Sequence, residues 1–259
     1  MIYTTFAKLY DDLMDPEMYA NWLDFAEDEL VSGNVLDLAC GSGRFAVKLA
    51  ERGFETSGLD LSEEMLSLAL KHAEEAGVDL PLYQGDMLDL SGLSEKFSNV
   101  TCFADSFCYL PDEKSIEKAF VEVFQHLKPE GKFIFDVITP YKTDVVYPGY
   151  MYNYTDEEQA FIWTSFEGKH PHSVEHELTF FIWNEKEDGY DRIEELHYER
   201  TYELDVYLKA LKHAGFNQVK VSADFGKSKP NEQTTRWFFA CQKDWEVRRI
   251  EDRGRNSRV

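Results

Sequence analysis

Val35-Leu36-Asp37-Leu38-Ala39-Cys40-Gly41-Ser42-Gly43-Arg44-Phe45-Ala46 is the stretch from which the rest of this sequence is best read. The apolar run from Val35 to Cys40 has the character of a buried parallel strand, interrupted only by Asp37. Gly41 and Gly43 let the backbone turn sharply and approach a ligand, and a helix follows from Phe45. Strand, glycine turn and helix in this order build a site for a nucleoside-containing cofactor. Gly41-Ser42-Gly43-Arg44-Phe45-Ala46 also satisfies the dinucleotide pattern GxGxxG/A, so the stretch alone does not choose between cofactors.

Working outward, the helix that begins at Phe45 runs to Glu51 and is closed by Gly53. A second strand spans Phe54 to Leu59 and ends at Asp60. Ser62 is a natural N-cap for a helix reaching Ala76, with Glu63 and Glu64 on its first turn and Gly77 as its stop. A third strand, Leu82 to Gln84, leads into Gly85-Asp86-Met87. The fourth, Val100 to Ala104, ends at Asp105-Ser106-Phe107. A helix from Ser115 to Leu127 and a turn, Lys128 to Lys132, precede a fifth strand, Phe133 to Val137. Strands alternating with helices at this spacing form a parallel sheet covered on both faces.

That alternation stops near Pro140. Glu175 to Trp183 and Tyr190 to Tyr198 have strand character, and Asn184 to Gly189 supplies a turn, so the segment reads as an antiparallel insertion or lid. A helix then spans Leu204 to Ala214, capped by Gly215. The strands Asn217 to Ala223 and Arg236 to Gln242 have no helix between them, which implies an antiparallel hairpin at the sheet edge. Residues 2–30 read as helical and aromatic, with Phe6, Leu9, Tyr10 and Leu13 on one buried face. They form either a packed element or a flap over the cofactor. Five arginines fall between Arg248 and Arg258 with no core pattern, as in a basic tail.

The chain has 259 residues and a formal charge of −22. Such a surface repels phosphate backbones and anionic lipid, which argues against nucleic acid and membrane surfaces as partners. No signal-peptide pattern or apolar run of membrane-spanning length is seen, so a soluble, cytoplasmic protein is expected. Cys40, Cys102, Cys108 and Cys241 have no metal-binding or redox spacing and read as structural thiols. His170, His172 and His176 lack the cysteine or carboxylate partners of a metal set, so no metal is expected.

Two features bear on the cofactor. Asp37 lies within the strand, four residues before Gly41; a buried carboxylate there would repel a pyrophosphate and favour a cationic group. Acids also recur at successive strand ends, as Asp37, Asp60, Asp86 and Asp105, along the edge where open α/β sheets bind ligands. Asp60 stands where a carboxylate accepts both ribose hydroxyls. Asp86 stands where an acid meets an adenine amine, with the Met87 amide near a ring nitrogen.

At this point the sequence resembles the class I S-adenosylmethionine (SAM) dependent methyltransferases. The likeness rests on Val35 to Gly43, on Gly58-Leu59-Asp60-Leu61-Ser62 with Met65, and on Gly85-Asp86-Met87. The segment after the fourth strand and the Leu127 to Lys132 turn also match. Phe6-Ala7-Lys8-Leu9-Tyr10-Asp11 looks like a bacterial subset with a β insertion after strand five. One departure is Phe97-Ser98, where many relatives have Phe-Asp. The implied fold is α/β, a Rossmann-like, doubly wound, mostly parallel seven-stranded sheet with an antiparallel last strand and a small antiparallel insertion.

The implied organisation is a helical flap (1–30), a SAM-binding domain (31–139 and 201–243), a substrate lid (140–200) and a basic tail (244–259). By the same resemblance, Asp37, Ala39, Cys40, Gly41 and Gly43 wrap the methionyl group and Asp60 holds the ribose. Asp86 and Met87 hold adenine, Leu61 and Met65 pack on it, Ala104 offers its carbonyl, and Tyr10 lines the cofactor. Ser106 and Tyr109 begin the substrate side.

Methyl transfer is an in-line displacement on a carbon already activated by its sulfonium, so alignment and exclusion of water carry much of the work. A base is needed only where the nucleophile must lose a proton. Glu195 and His197 share one face of a strand, and His197 is the candidate base or substrate contact. Tyr150, Tyr152, Tyr154, Trp163 and Trp183 are candidates for a cage around an amine. The leading expectation is methylation of a small-molecule acceptor. An NAD(P)-dependent oxidoreductase and a catalytically silent SAM-binding regulator are the alternatives.

Overall fold

Two sheets make up the framework of the computed structural model, which describes residues 16–244. The main layer alternates α1 (Pro16–Glu29), β1 (Val35–Leu38), α2 (Arg44–Glu51), β2 (Thr56–Asp60), α3 (Glu63–Ala76) and β3 (Leu82–Gln84). It continues with β4 (Phe97–Cys102), α4 (Glu113–His126) and β5 (Leu127–Ile138). A second, antiparallel sheet follows, with β6 (Met151–Thr155), β7 (Gln159–Glu167), β8 (Ser173–Asn184) and β9 (Gly189–Arg200). The chain then returns to the main sheet through α5 (Leu204–Ala214), β10 (Gln218–Ser222) and β11 (Arg236–Gln242).

The seven-stranded order is β10-β11-β5-β4-β1-β2-β3. Neighbours from β5 to β3 are parallel, whereas β11 is antiparallel to both β5 and β10. The closing hairpin is at the edge, but its last strand is not the outermost. β11 is buried from Trp237 to Cys241, whereas β10 exposes Gln218 and Lys220. A continuous apolar strand belongs inside a sheet, and one carrying charge belongs at its edge.

Side chains alternate between two cores, as strand geometry requires. Phe133, Phe135 and Val137 of β5 face α4 and α5 with Phe107, Phe120, Tyr207 and Phe239. Ile134 faces the other side, among Trp22, Phe25, Phe45, Phe103 and Phe238. The rings of Phe135 and Phe239 stack across β5 and β11 at 4.5 Å. Helix ends follow local chemistry. Ser62 Oγ accepts from Met65 N at 3.2 Å to start α3, and left-handed Gly77 and Gly215 terminate α3 and α5. All four cysteines are buried and free.

Two expectations change. Of residues 2–30, read as either a packed element or a flap, the described part is α1, with Trp22, Leu23, Phe25 and Ala26 buried. Tyr10 and the stripe with Phe6, Leu9 and Leu13 lie outside the described residues, as does the tail beyond Asp244. The expected turn from Lys128 to Lys132 is instead the first part of β5. Lys243 N donates to Gly131 O at 3.0 Å and Glu130 N to Lys243 O at 2.9 Å, which holds it against the end of β11. The insertion also has four strands; β6 is exposed along its length, so no buried alternation marks it in the sequence. Ser98, the departure from the usual Phe-Asp, lies at the start of β4 and bonds Asn34, away from the carboxyl edge.

Candidate active site

Chain direction across the main sheet reverses between β1 and β4, since β1 leads to β2 and β3 on one side and β4 leads to β5 on the other. Loops leaving these two strands diverge and open a crevice at their carboxyl ends. Both strands end in left-handed backbone. Ala39 after β1 has φ 56°, and Ala104 and Asp105 after β4 have φ 59° and 62°. Non-glycine residues cost roughly 1–3 kcal/mol each in such conformations and concentrate at functional sites.

Asp37 is 3% exposed, and its Oδ1 accepts from Thr101 Oγ1 at 2.8 Å. Burial raises its carboxyl to about 7, with the Thr101 bond opposing the shift and the charge of Asp60 adding to it. Asp60 accepts from Gly41 N at 2.8 Å and from Ser62 N at 2.9 Å, so one carboxylate joins the glycine turn to the start of α3. Gly85 N donates to Asp60 O at 3.0 Å, which brings Gly85-Asp86-Met87 to the same edge.

The glycine turn is tight below and open above. A Cβ on Gly43 would meet Ala69 Cβ at 2.6 Å, and one on Gly58 would meet Cys40 Sγ at 2.8 Å, so the Cys40 side chain points inward. A Cβ on Gly41 would meet nothing within 4 Å. Leu61, directly after Asp60, is 69% exposed, an unusual position for leucine, and Met65 is half-buried. Asp86 is exposed, and its Oδ1 accepts from Leu88 N at 2.8 Å.

A buried charge network secures the end of β4. Asp136 accepts from Asp105 N at 3.0 Å and from Trp22 Nε1 at 2.7 Å. Arg236 pairs with both carboxylate oxygens of Asp105 and lies 3.0 Å from Asp136 Oδ2. Burial by itself would lower the Arg236 pKa, but the two carboxylates outweigh it and hold the proton well above the usual range. The strained Ala104–Asp105 turn is thereby fixed from three elements. Sequence reading missed both Asp136 and Arg236. The available signal was that Asp136 interrupts an apolar strand much as Asp37 does.

Between the two sheets lies a cavity of about 720 Å³. Ala104, Asp105 and Arg236 contribute from the main sheet, and Trp163, His176 and Glu199 from the second. His197 and Glu199 face inward from β9, two residues apart, and Tyr109 Oη lies 3.4 Å from His197 Nδ1. Burial lowers the His197 pKa, against the charges of Glu195 and Glu199. Of the expected aromatic set, Tyr150, Tyr152 and Trp163 line the cavity. Tyr154 is exposed and bonds Asp156, and Trp183 stands edge-on to Tyr190 at 5.1 Å. Ser106 Oγ donates to Phe103 O at 2.8 Å, a bond within its own turn. His172 Nδ1 lies 2.7 Å from Asp144, and among the described residues no cluster of His, Cys, Asp or Glu is arranged to hold a metal.

A methyltransferase-domain family matches residues 35–131. YqeM of Bacillus subtilis (strain 168), assigned by name to the methyltransferases, is 41% identical over 244 residues, covering 94% of this chain and 98% of its own. A solved SAM-dependent methyltransferase from Clostridium acetobutylicum ATCC 824 is 32% identical, with a TM-score of 0.80 over 93% of this chain and 99% of that one. The chain belongs to the class I SAM-dependent methyltransferases. A ubiquinone biosynthesis O-methyltransferase from Pseudomonas entomophila (strain L48) is 33% identical over 119 residues, about half of each chain (46% and 49%).

This methyltransferase uses SAM as co-substrate, which sets aside the NAD(P)-dependent oxidoreductase and the silent regulator. The crevice residues fit that donor. Open space above Gly41, a buried carboxylate at Asp37 and an exposed apolar Leu61 suit a cationic amino acid joined to a nucleoside. No helix among the described residues is long and apolar enough to cross a membrane.

Proposed function

We propose that this methyltransferase acts on a small-molecule acceptor seated in the cavity between the two sheets. The observation that carries the reading is that this cavity is walled by Ala104 and Asp105, at the switch-point crevice, and by the inward face of the second sheet. SAM, when bound, supplies a methyl carbon already activated by its sulfonium. The Asp37–Gly43 turn holds the methionyl end, with the ionised Asp37 favouring its ammonium and the Ala104 carbonyl accepting from it. Asp60 holds the ribose, Asp86 and Met87 hold adenine, and Leu61 with Met65 covers the base. The second sheet excludes water and aligns the acceptor, where effective molarity supplies much of the rate.

Tyr109 and His197 face the acceptor. His197 serves as base where the nucleophile must lose a proton, because its lowered pKa leaves the ring uncharged at neutral pH. A labelled-SAM screen of metabolite extracts, followed by mass identification of the product, tests the reading. Label in a small molecule is the expected result. Label confined to protein or nucleic acid fractions overturns it.

A further inference from the structure

His176 and Glu199 are the two most deeply buried polar side chains that the second sheet contributes to the cavity, 2% and 8% exposed. Each has one unsatisfied polar atom. His176 Nε2 and Glu199 Oε2 are buried with no hydrogen-bond partner among the described residues. The closest approach between the pair is 3.7 Å, from His176 Nε2 to Glu199 Oε1, beyond a hydrogen bond. Leaving such groups unpaired is expensive, and native structures pair nearly all of them, so an exception beside a cavity calls for an explanation.

The proton on His176 can be placed from its other nitrogen. Trp163 Nε1 can only donate, and it lies 3.1 Å from His176 Nδ1, so Nδ1 is an acceptor and carries no hydrogen. Ser165 Oγ, 2.7 Å away, sits on the same nitrogen. The ring proton is therefore on Nε2, a buried donor without an acceptor. Glu199 presents the complement, a carboxylate oxygen without a donor. Neither neighbouring cation bonds Glu199: Arg236 is paired with Asp105 and Asp136, and Lys142, which feels the charge of Glu199, has its Nζ over the Tyr147 ring, 4.6 Å from its centre.

A protonated amine would satisfy Glu199 but would turn donors toward His176 Nε2–H. A carboxylate would satisfy His176 and repel Glu199. A neutral group that both donates and accepts satisfies both, and a hydroxyl is the smallest such group on an organic molecule. We propose that His176 and Glu199 form a two-point clamp for an alcohol group of the acceptor, the hydroxyl donating to Glu199 Oε2 and accepting from His176 Nε2–H. The rings of Tyr147 and Trp163, at 4.7 and 5.3 Å from His176, form the apolar wall for the carbon skeleton that carries it. Because Nε2 already holds its proton, His176 binds this hydroxyl and does not deprotonate it. The inference rests on the reading of this cavity as the acceptor site, and it narrows the acceptor to an alcohol-bearing molecule.

Matched probes test it: benzyl alcohol against toluene, and cyclohexylmethanol against methylcyclohexane, followed by ligand-observed NMR on the full-length protein with S-adenosylhomocysteine. A charge-assisted bond corresponds to about tenfold or more in affinity, so each alcohol is expected to bind roughly tenfold tighter than its deoxy partner. In Glu199→Met the charge-assisted bond is lost and the preference falls to the few-fold that the His176 bond alone supplies, while binding of toluene is retained and reports an intact cavity. Long-range proton–nitrogen correlation is expected to find the His176 proton on Nε2. Equal or undetectable binding of alcohol and hydrocarbon in the wild type, an alcohol preference undiminished in Glu199→Met, or a proton on Nδ1 each overturns the clamp. Calorimetry with S-adenosylhomocysteine on the same sample tests the methyl-donor site separately, since its outcome does not depend on Glu199.

Discussion

Trp22 Nε1 donates to Asp136 Oδ2 at 2.7 Å, joining α1 to β5 across 114 residues of sequence. Asp136 also fixes the Asp105 amide, so this bond connects helix docking to the turn that ends β4. Trp22→Phe keeps most of the packing against Phe103 and removes only the donor. A hydrogen bond to a buried charged group is worth about 1.5–3 kcal/mol, and urea denaturation should register a loss in that range. An unchanged midpoint would show that the bond contributes nothing to stability.

Asp60 concerns binding. Its carboxylate holds the Gly41 and Ser62 amides and is assigned to the ribose. Asp60→Ala should weaken SAM at least about tenfold, since charge-assisted bonds of roughly 1.5–3 kcal/mol are lost. Isothermal calorimetry reads the change directly, and unaltered affinity would refute the ribose assignment.

The two loop glycines should separate stability from binding. At Gly43, with φ 74°, a methyl group would meet Ala69 Cβ at 2.6 Å. Gly43→Ala should therefore destabilise the fold by about 1–3 kcal/mol through overpacking. At Gly41, with φ 54°, the methyl group would enter open space. Gly41→Ala should cost only about 1–2 kcal/mol of backbone strain and should chiefly weaken SAM, whose methionyl end is assigned to that space. Thermal unfolding and SAM titration of both variants check the contrast; identical profiles would contradict it.

SAM affinity should also depend on pH through Asp37. Burial raises this carboxyl to about 7 in the free protein, so its neutral form prevails below that pH. The ammonium of SAM favours the ionised form, so binding strengthens as pH rises and levels off above about 7. At pH 6 the affinity should be roughly tenfold below that plateau, one pKa unit being a factor of ten. For stability the sign is opposite. The raised carboxyl favours folding fully below its ordinary value of 3.8, and this contribution is lost as pH rises through about 7. Asp37→Asn should flatten the SAM profile between pH 5.5 and 7, measured by calorimetry in buffers of matched ionic strength.

Much of the edge proposed to hold the donor was legible because it is local. Asp37, Gly41 and Gly43 are close in sequence, and Asp60 and Asp86 each follow a strand that a short apolar run reveals. The cavity proposed for the acceptor was harder to read. On β9 the period of two placed Glu195 and His197 on one face, and the same period extends to Glu199, yet only the packed cavity shows that Glu199 lies deepest. Trp163 and His176 come from separate strands, and nothing in either segment announces their bond.

By itself the sequence determined the fold class, the methyl-donor family and the acids at the strand ends proposed to hold the donor. Those features rest on hydrophobic periodicity, glycine conformational freedom and acids at fixed offsets, all short-range properties. Tertiary structure alone decided that β11 lies inside the sheet, that Arg236 and Asp136 fix the Ala104–Asp105 turn, and that His176 faces Glu199 across an unsatisfied gap. These depend on burial, and burial is set by which distant segments exclude water from one another.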